Sequence, residues 1–202
     1  MVGLRERKKQ RTRQEIFEAS QRLFARHGFD AVTVAAIARQ ADVSEMTVFN
    51  YFPTKEDLFY AGMQFFEEQL LDAVRDRPRG ESALKAFRKR VLEGASNLDA
   101  KERADAILRA GRIVAASASL QARERQIVDE YTHRLAEVLS GDIEAKVAAA
   151  GMMATHRALV DYIRERVRSG RRGPGLADDF RAQARRAFSR LERGLGTYAV
   201  RP

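Results

Sequence analysis

The sequence predicts an all-α protein, and three observations carry that prediction. Proline breaks helix interiors, and it occurs only at Pro53, Pro78, Pro174 and Pro202, leaving residues 79–173 free of it. Between these breaks the chain is dominated by Ala, Arg, Leu and Glu, all good helix formers. No run of alternating β-branched residues flanks a hairpin dipeptide.

The elements follow in order. A first helix is expected from about Gln10 to His27, with Ile16, Ala19, Leu23 and Phe24 on one face and Gly28 as its stop. Thr33 is a good N-cap for a short second helix containing Val34, Ile37, Ala38 and Ala41. Ala41-Asp42-Val43-Ser44 reads as a turn, and a third short helix follows Ser44 and ends before Pro53. Thr54, with Asp57 three residues on, opens a longer helix through Leu58, Phe59, Met63, Phe66 and Leu70 that ends before Pro78. Beyond it, helices are expected over about 81–98, 102–116, 119–140, 142–169 and 176–195, with breaks at Gly80, Gly141 and the 170–175 stretch.

Composition narrows the chemistry. The 202 residues contain no cysteine, which excludes disulfides, thiolate metal sites and thiol nucleophiles. The histidines His27, His133 and His156 are scattered, with no HExxH pair, nucleophile elbow or phosphate-binding glycine loop. No catalytic residue, cofactor or metal is therefore expected. No apolar run reaches the roughly 20 residues of a membrane span, and a cytoplasmic protein without membrane contact is expected. The net charge is +9, and residues 163–202 hold 11 basic and 4 acidic residues. Arg5, Arg7, Lys8, Lys9, Arg11 and Arg13 form a basic N-terminal arm. Such an arm either reaches DNA phosphates or stands as a solvated tail. Arg181, Arg185, Arg186 and Arg190 at helical spacing read first as a solvated face.

Two short helices joined by a tight turn suggest a constrained geometry, and residues 33–52 have the length and apolar anchors of a helix-turn-helix. Ile37, Val43, Val48 and Phe52 can pack against Ile16 and Leu23, leaving Glu45, Met46, Thr47, Phe49, Asn50 and Tyr51 on the exposed side of the third helix. A short helix so arranged can enter the major groove.

Residues 33–58 read TVAAIARQADVSEMTVFNYFPTKEDL. This stretch resembles the DNA-binding domain of the tetracycline-repressor (TetR) family of bacterial regulators. The resemblance rests on Thr33-Val34, Ile37-Ala38, Ala41, Val43-Ser44, Thr47, Phe49, Tyr51-Phe52 and Lys55-Glu56-Asp57-Leu58, and covers about residues 10–62. Asp42 departs from the family's usual glycine, at a turn position that tends to need positive φ. The resemblance implies that Thr33, Thr47, Asn50, Tyr51 and Lys55 hold phosphates, that Ala35, Glu45, Met46 and Phe49 face the bases, and that Ser44 belongs to the DNA-binding set without a role of its own. The base-facing set lacks arginine, so the usual bidentate contact to guanine is missing from it. Phe49 has an alternative as a core aromatic, and Tyr51 as a ring packed on the fourth helix.

The resemblance further implies two domains, 1–60 for DNA binding and 61–202 for effector binding and dimerisation. The expected activity is that of a homodimeric repressor on a palindromic operator, released by a small-molecule effector; an activator or an effector-independent regulator of the same fold is the alternative, and a helical adaptor that does not bind DNA a more remote one. The expected partners are double-stranded DNA, a second copy of the chain and the effector. Ala150, Ala154 and Ala158 on one helix, with Phe180, Ala184, Phe188 and Leu191 on the next, fit a subunit interface or ordinary packing within one chain. Phe66, Phe87, Ile113, Tyr131, Met152, Met153 and His156 are the expected pocket residues. Methionines at such spacing also serve as plain core, and His156 also fits a satisfied buried histidine.

Overall fold

In the computed structural model, residues 3–195 are described, and they form nine helices. Pro202 and the side chains of Arg5 and Leu195 lie outside the described part. The helices are α1 (Leu4–His27), α2 (Val34–Gln40), α3 (Glu45–Tyr51), α4 (Lys55–Arg75), α5 (Ala83–Glu93), α6 (Lys101–Ala116), α7 (Ala118–Leu139), α8 (Ile143–Arg168) and α9 (Leu176–Leu195). The all-α expectation holds, and no helix among the described residues is long and apolar enough to cross a membrane.

Two boundaries differ from the sequence reading. Helix α1 begins at Leu4, so the basic arm is its first turns rather than a separate tail. Nothing between Leu4 and His27 breaks a helix, and Arg11 is held to Glu15 one turn on at 2.9 Å. Helix α5 ends at Glu93 instead of near 98. Gly94, Ser96, Asn97 and Asp99 are poor helix formers, and their backbone turns instead. The turn has its own anchor, because the Asp99 carboxylate accepts the N–H of Ala177 in the first turn of α9 at 3.0 Å.

The chain divides into two compact units. The first comprises the chain up to Gln64 together with Arg112–Glu124; the second comprises Phe65–Gly111 and the chain from Arg125 onward. The expected division at residue 60 thus moves four residues along α4, and the α6–α7 corner belongs to the first unit. In that corner the Ser117 hydroxyl donates to Asp30 at 2.9 Å and the Tyr60 hydroxyl to the Leu120 carbonyl at 3.0 Å. Arg123 holds Asp57 at 2.8 Å. The core of the first unit is Ile16, Ala19, Phe24, Phe29, Ile37, Val48, Phe52 and Leu58, all buried. The rings of Phe24, Phe29 and Phe59 meet tilted or edge to face at centroid distances of 5.2–5.8 Å. Val43 and Leu23, expected beside them, are only half-buried.

In the second unit, α5, α8 and α9 enclose Leu84, Phe87, Val91, Met152, Leu159, Ile163, Phe180, Ala184 and Phe188. Phe87 and Phe188 meet edge to face at 6.1 Å. Phe180, Ala184 and Phe188, expected at a subunit interface, are instead core residues of one chain. The α9 stripe they form is the face that closes over α5 and α8, with Leu191 half-buried at its end. Arg166–Asp179 at 3.1 Å and Arg88–Glu192 at 2.9 Å fix α9 along its length.

Asp42 adopts φ 53°, the sole positive φ of a described non-glycine residue. Its turn closes with the Val43 N–H on the Ala38 carbonyl at 3.0 Å. Glycine adopts this conformation without steric cost. Asp42→Gly should therefore leave stability unchanged or raise it by up to about 1 kcal/mol, read by chemical denaturation.

Candidate nucleic-acid interface

Helix α3 is built to present a face. Ser44 starts it: the Ser44 hydroxyl oxygen accepts the Thr47 N–H at 3.1 Å and pairs with the Thr47 hydroxyl at 2.8 Å. Val48 is its buried anchor, and Phe52 caps it, also buried. The guanidinium of Arg13 lies 4.8 Å from the Phe52 ring centre, tying α1 to the end of α3. With one side fixed, the other is turned out. Glu45 and Asn50 are exposed, Thr47 and Tyr51 are half-buried, Met46 is 69% exposed and Phe49 45%. Phe49 is therefore not a core aromatic. Glu45 is the one charged residue of α3.

Helix α2 is capped by Thr33, whose hydroxyl oxygen accepts the Ala36 N–H at 3.2 Å. Ala35 is half-buried. The two caps occupy an acceptor of Thr33 and of Ser44, and a hydroxyl also carries one O–H donor. Lys55 is more constrained. Its ammonium donates to the Phe29 and Val32 carbonyls, both at 3.0 Å, and sits 4.2 Å from the Phe29 ring centre. Two of its three donors thus tie the α1–α2 turn to α4, leaving one for another acceptor. Thr54 and Asp57 cap α4 mutually: the Asp57 N–H reaches the Thr54 hydroxyl at 3.0 Å, which donates to the Asp57 carboxylate at 2.8 Å.

The second unit gathers six of the seven residues expected to line a pocket; Ile113 belongs to the first unit. His156 on α8 stands 5.6 Å from the Phe66 ring of α4 and 6.3 Å from the Phe87 ring of α5. Phe66 needs Gly94 beneath it, since a Cβ there would meet the ring at 2.9 Å. Met152 and Met153 lie one turn before His156 on the same buried face. The Tyr131 hydroxyl donates to Glu68 at 2.8 Å, and Arg134 completes that carboxylate at 2.8 Å. Arg134 is the main reason that Glu68 lies below the usual carboxylate range. Burial and the bond to Glu68 push the Tyr131 phenol up.

Sequence reasoning missed Glu67. It is 2% exposed, and its carboxylate lies 3.6 Å from His156 Nδ1. Its signal was present: Glu67 stands four residues after Met63 and three before Leu70, inside the apolar stripe of α4. Burial pushes Glu67 up to about 7 and His156 down to about 4, so the pair rests as neutral acid and neutral imidazole. A raised carboxyl loses stability as pH climbs from about 4.5 to about 7; a lowered imidazole loses it as pH falls from about 6.5 to about 4. Between these limits the folded chain holds the proton on Glu67 and the unfolded chain on His156, so the two slopes cancel. Relative to wild type, Glu67→Gln should therefore gain stability with rising pH over that interval and His156→Gln should lose it, each by up to about 1.4 kcal/mol per pH unit. Denaturant titrations at pH 4.5, 5.5 and 6.5 read this directly. Parallel curves for both variants would show that the pair does not share a proton in this way.

Comparison with known proteins agrees with the geometry. Residues 16–61 match the family model described as bacterial regulatory proteins, tetR family. The HTH-type transcriptional regulator TcmR of Streptomyces glaucescens is 29% identical over 184 residues, 89% of this chain and 68% of TcmR. AcrR of Shigella flexneri, also an HTH-type transcriptional regulator, is 25% identical over 75% of this chain and 73% of its own. Among solved structures, a SmeT–triclosan complex aligns with a TM-score of 0.58 at 17% identity, over 91% of this chain and 90% of SmeT. NalD, the secondary repressor of the MexAB-OprM multidrug efflux pump in Pseudomonas aeruginosa, aligns at 0.52 and 19% identity, over 93% and 97%. The two structures share the fold, and the family-model match over residues 16–61 spans the capped, outward-facing α2–α3 pair: over that stretch the chain has the DNA-binding helix-turn-helix of bacterial regulatory proteins of the tetR type, and it is similar along most of its length to HTH-type transcriptional regulators.

Proposed function

We propose that the protein is a homodimeric repressor that reads a palindromic operator with α3 and leaves it when a small molecule occupies the second unit. The observation that carries the reading side is the exposure of Met46 and Phe49 on a rigidly capped helix. Two large apolar side chains held out beside Glu45 suit thymine methyls and a cytosine N4 donor in the major groove. Ala35 joins that set. The hydroxyl groups of Thr33, Ser44, Thr47 and Tyr51, the Asn50 amide and the remaining Lys55 donor serve phosphates. With no arginine on α3, part of the specificity comes from DNA shape and from the basic first turns of α1.

Reading and holding are separable by mutation. Glu45→Ala should change the ranking of operator variants, by about 1–3 kcal/mol at one base pair. Lys55→Ala should weaken binding to all sequences alike and flatten its salt dependence. Equilibrium binding to a set of single-site operator variants at two salt concentrations checks both; identical profiles for the two variants would refute the division.

Two half-sites about one helical turn apart require two copies of α3. The self-contact is assigned to α8, where Ala150, Ala154 and Ala158 are exposed in line with Ile143 and Val147. Effector control is supported by the buried polar centre in the second unit, and by helices α4, α6 and α7, each of which contributes residues to both units. An effector that prefers the arrangement unsuited to DNA shifts the population off the operator. A promoter fusion in a deletion strain separates repressor from activator: output rises on loss of a repressor and falls on loss of an activator.

A further inference from the structure

The first unit is closed by side chains far outside the helix-turn-helix. Ser117, at the α6–α7 corner, is 2% exposed, and its hydroxyl donates to Asp30. Arg123, in the second turn of α7, brings both Nε and Nη2 to Asp57 Oδ1, each at 2.8 Å. From the other side the Tyr60 hydroxyl of α4 donates to the Leu120 carbonyl at 3.0 Å. Buried polar groups cost stability unless they are paired, so these partners fix where the corner sits.

What the corner grips is the mounting of α2. Asp30 lies in the turn between α1 and α2, and the Phe29 and Val32 carbonyls of that turn hold the Lys55 ammonium. Asp57 stands in the first turn of α4, where its Oδ2 accepts the Thr54 hydroxyl and its Oδ1 also accepts Gln64 Nε2 at 3.3 Å. Lys55 thus ties the turn to the start of α4, Ser117 ties it to the corner, and Arg123 ties the start of α4 to the corner. Thr33, the N-cap of α2, follows directly after Val32, and α3 is joined to α2 by the tight turn that closes on Ala38.

We propose that Ser117 and Arg123 are positioning residues for operator binding: without touching base or phosphate, they hold the α1–α2 turn and the start of α4, and through them α2 and α3. The inference rests on the reading of α3 as the helix that meets DNA. A binding constellation works only when its supports keep it within about 0.5 Å of the productive geometry. The DNA-binding body is then the chain up to Gln64 together with Arg112–Glu124, two stretches some fifty residues apart in sequence.

The test uses the full-length protein carrying Arg123→Gln or Ser117→Ala, with Arg123→Lys as the conservative variant. Amide hydrogen exchange, without DNA, should quicken over residues 32–52 in the first two variants and stay unchanged over α5, α8 and α9. Operator affinity should fall about 2- to 30-fold, the effect of residues that act at a distance from the ligand. The fall should be alike for all operator variants and should keep the wild-type salt slope, because no phosphate contact is removed. Arg123→Lys should recover part of the loss. A flattened slope for Arg123→Gln would make it a phosphate contact and overturn the proposal. Unchanged exchange over residues 32–52 would overturn it too, as would wild-type affinity in variants whose denaturation midpoint has dropped, the mark of a residue that serves stability alone. Should Arg123→Gln not fold, Ser117→Ala, which removes a single hydroxyl, decides. A wild type that selects no DNA would sink the reading of α3 instead, and the exchange measurement, which needs no DNA, then decides whether the corner holds α2 and α3.

Discussion

Replacing Phe188 by alanine should lower the stability of the protein by about 3–5 kcal/mol without converting a dimer into monomers. Phe188 is fully buried within one chain, and its ring meets Phe87 edge to face at 6.1 Å. Ala184 one turn before it is equally buried, so little can move in to fill the space. The loss is that of a large aromatic from a packed core, shared between transfer and cavity terms. Urea denaturation gives the magnitude, and sedimentation below the unfolding midpoint gives the oligomeric state. Phe188→Leu, which keeps most of the volume, should cost much less. If Phe188→Ala dissociated the protein while leaving its denaturation curve in place, α9 would be an interface helix after all.

Val147→Glu should show the complementary pattern. Val147 is 63% exposed and Ile143 73%, and with Ala150, Ala154 and Ala158 they draw an apolar stripe down the outer face of α8. Small residues at four-residue spacing let a second helix approach closely. A C2 contact places each substitution at the interface twice, so two carboxylates enter an apolar seam and stand without cations. The variant should fold normally, because an exposed site contributes little to the chain's own core, and should sediment as a monomer. Operator affinity should fall by at least about 100-fold, the avidity that links the two half-sites. A Val147→Glu protein that remained dimeric and bound operator normally would move the interface off this stripe.

These two residues also show where the sequence was legible and where it was not. Periodicity alone placed Phe180, Ala184 and Phe188 on one face and Ala150, Ala154 and Ala158 on another. It did not say which face meets the chain's own helices, because both surfaces look apolar in one dimension. The structure divides them: the bulky stripe lies against α5 and α8, and the small one is left open. The helix-turn-helix was legible because its signals are local. Thr33 and Ser44 cap by hydrogen bonds to the third residue onward, Val48 is the single buried residue of α3, and Asp42 takes the positive φ expected of its turn. Lys55 was only partly legible. The resemblance gave it to phosphate, whereas its carbonyl partners Phe29 and Val32 lie more than twenty residues away in the chain. The same distance hid the α6–α7 corner, where Ser117 meets Asp30 and Arg123 meets Asp57 across 87 and 66 residues. Glu67 was not legible because a charged residue inside an apolar stripe looks, in one dimension, like a break in that stripe; its burial beside His156 follows only from tertiary packing.

On the proposed function, two copies of α3, held by one dimer, read a near-palindrome. The most direct measurement is selection of genomic DNA fragments by the purified protein, followed by footprinting at two salt concentrations. The expected result is a protected near-palindrome whose half-sites lie about 34–36 Å apart or a multiple of the helical repeat, with protection weakening at the higher salt. A footprint over a single unpaired half-site, or protection indifferent to salt, would contradict it.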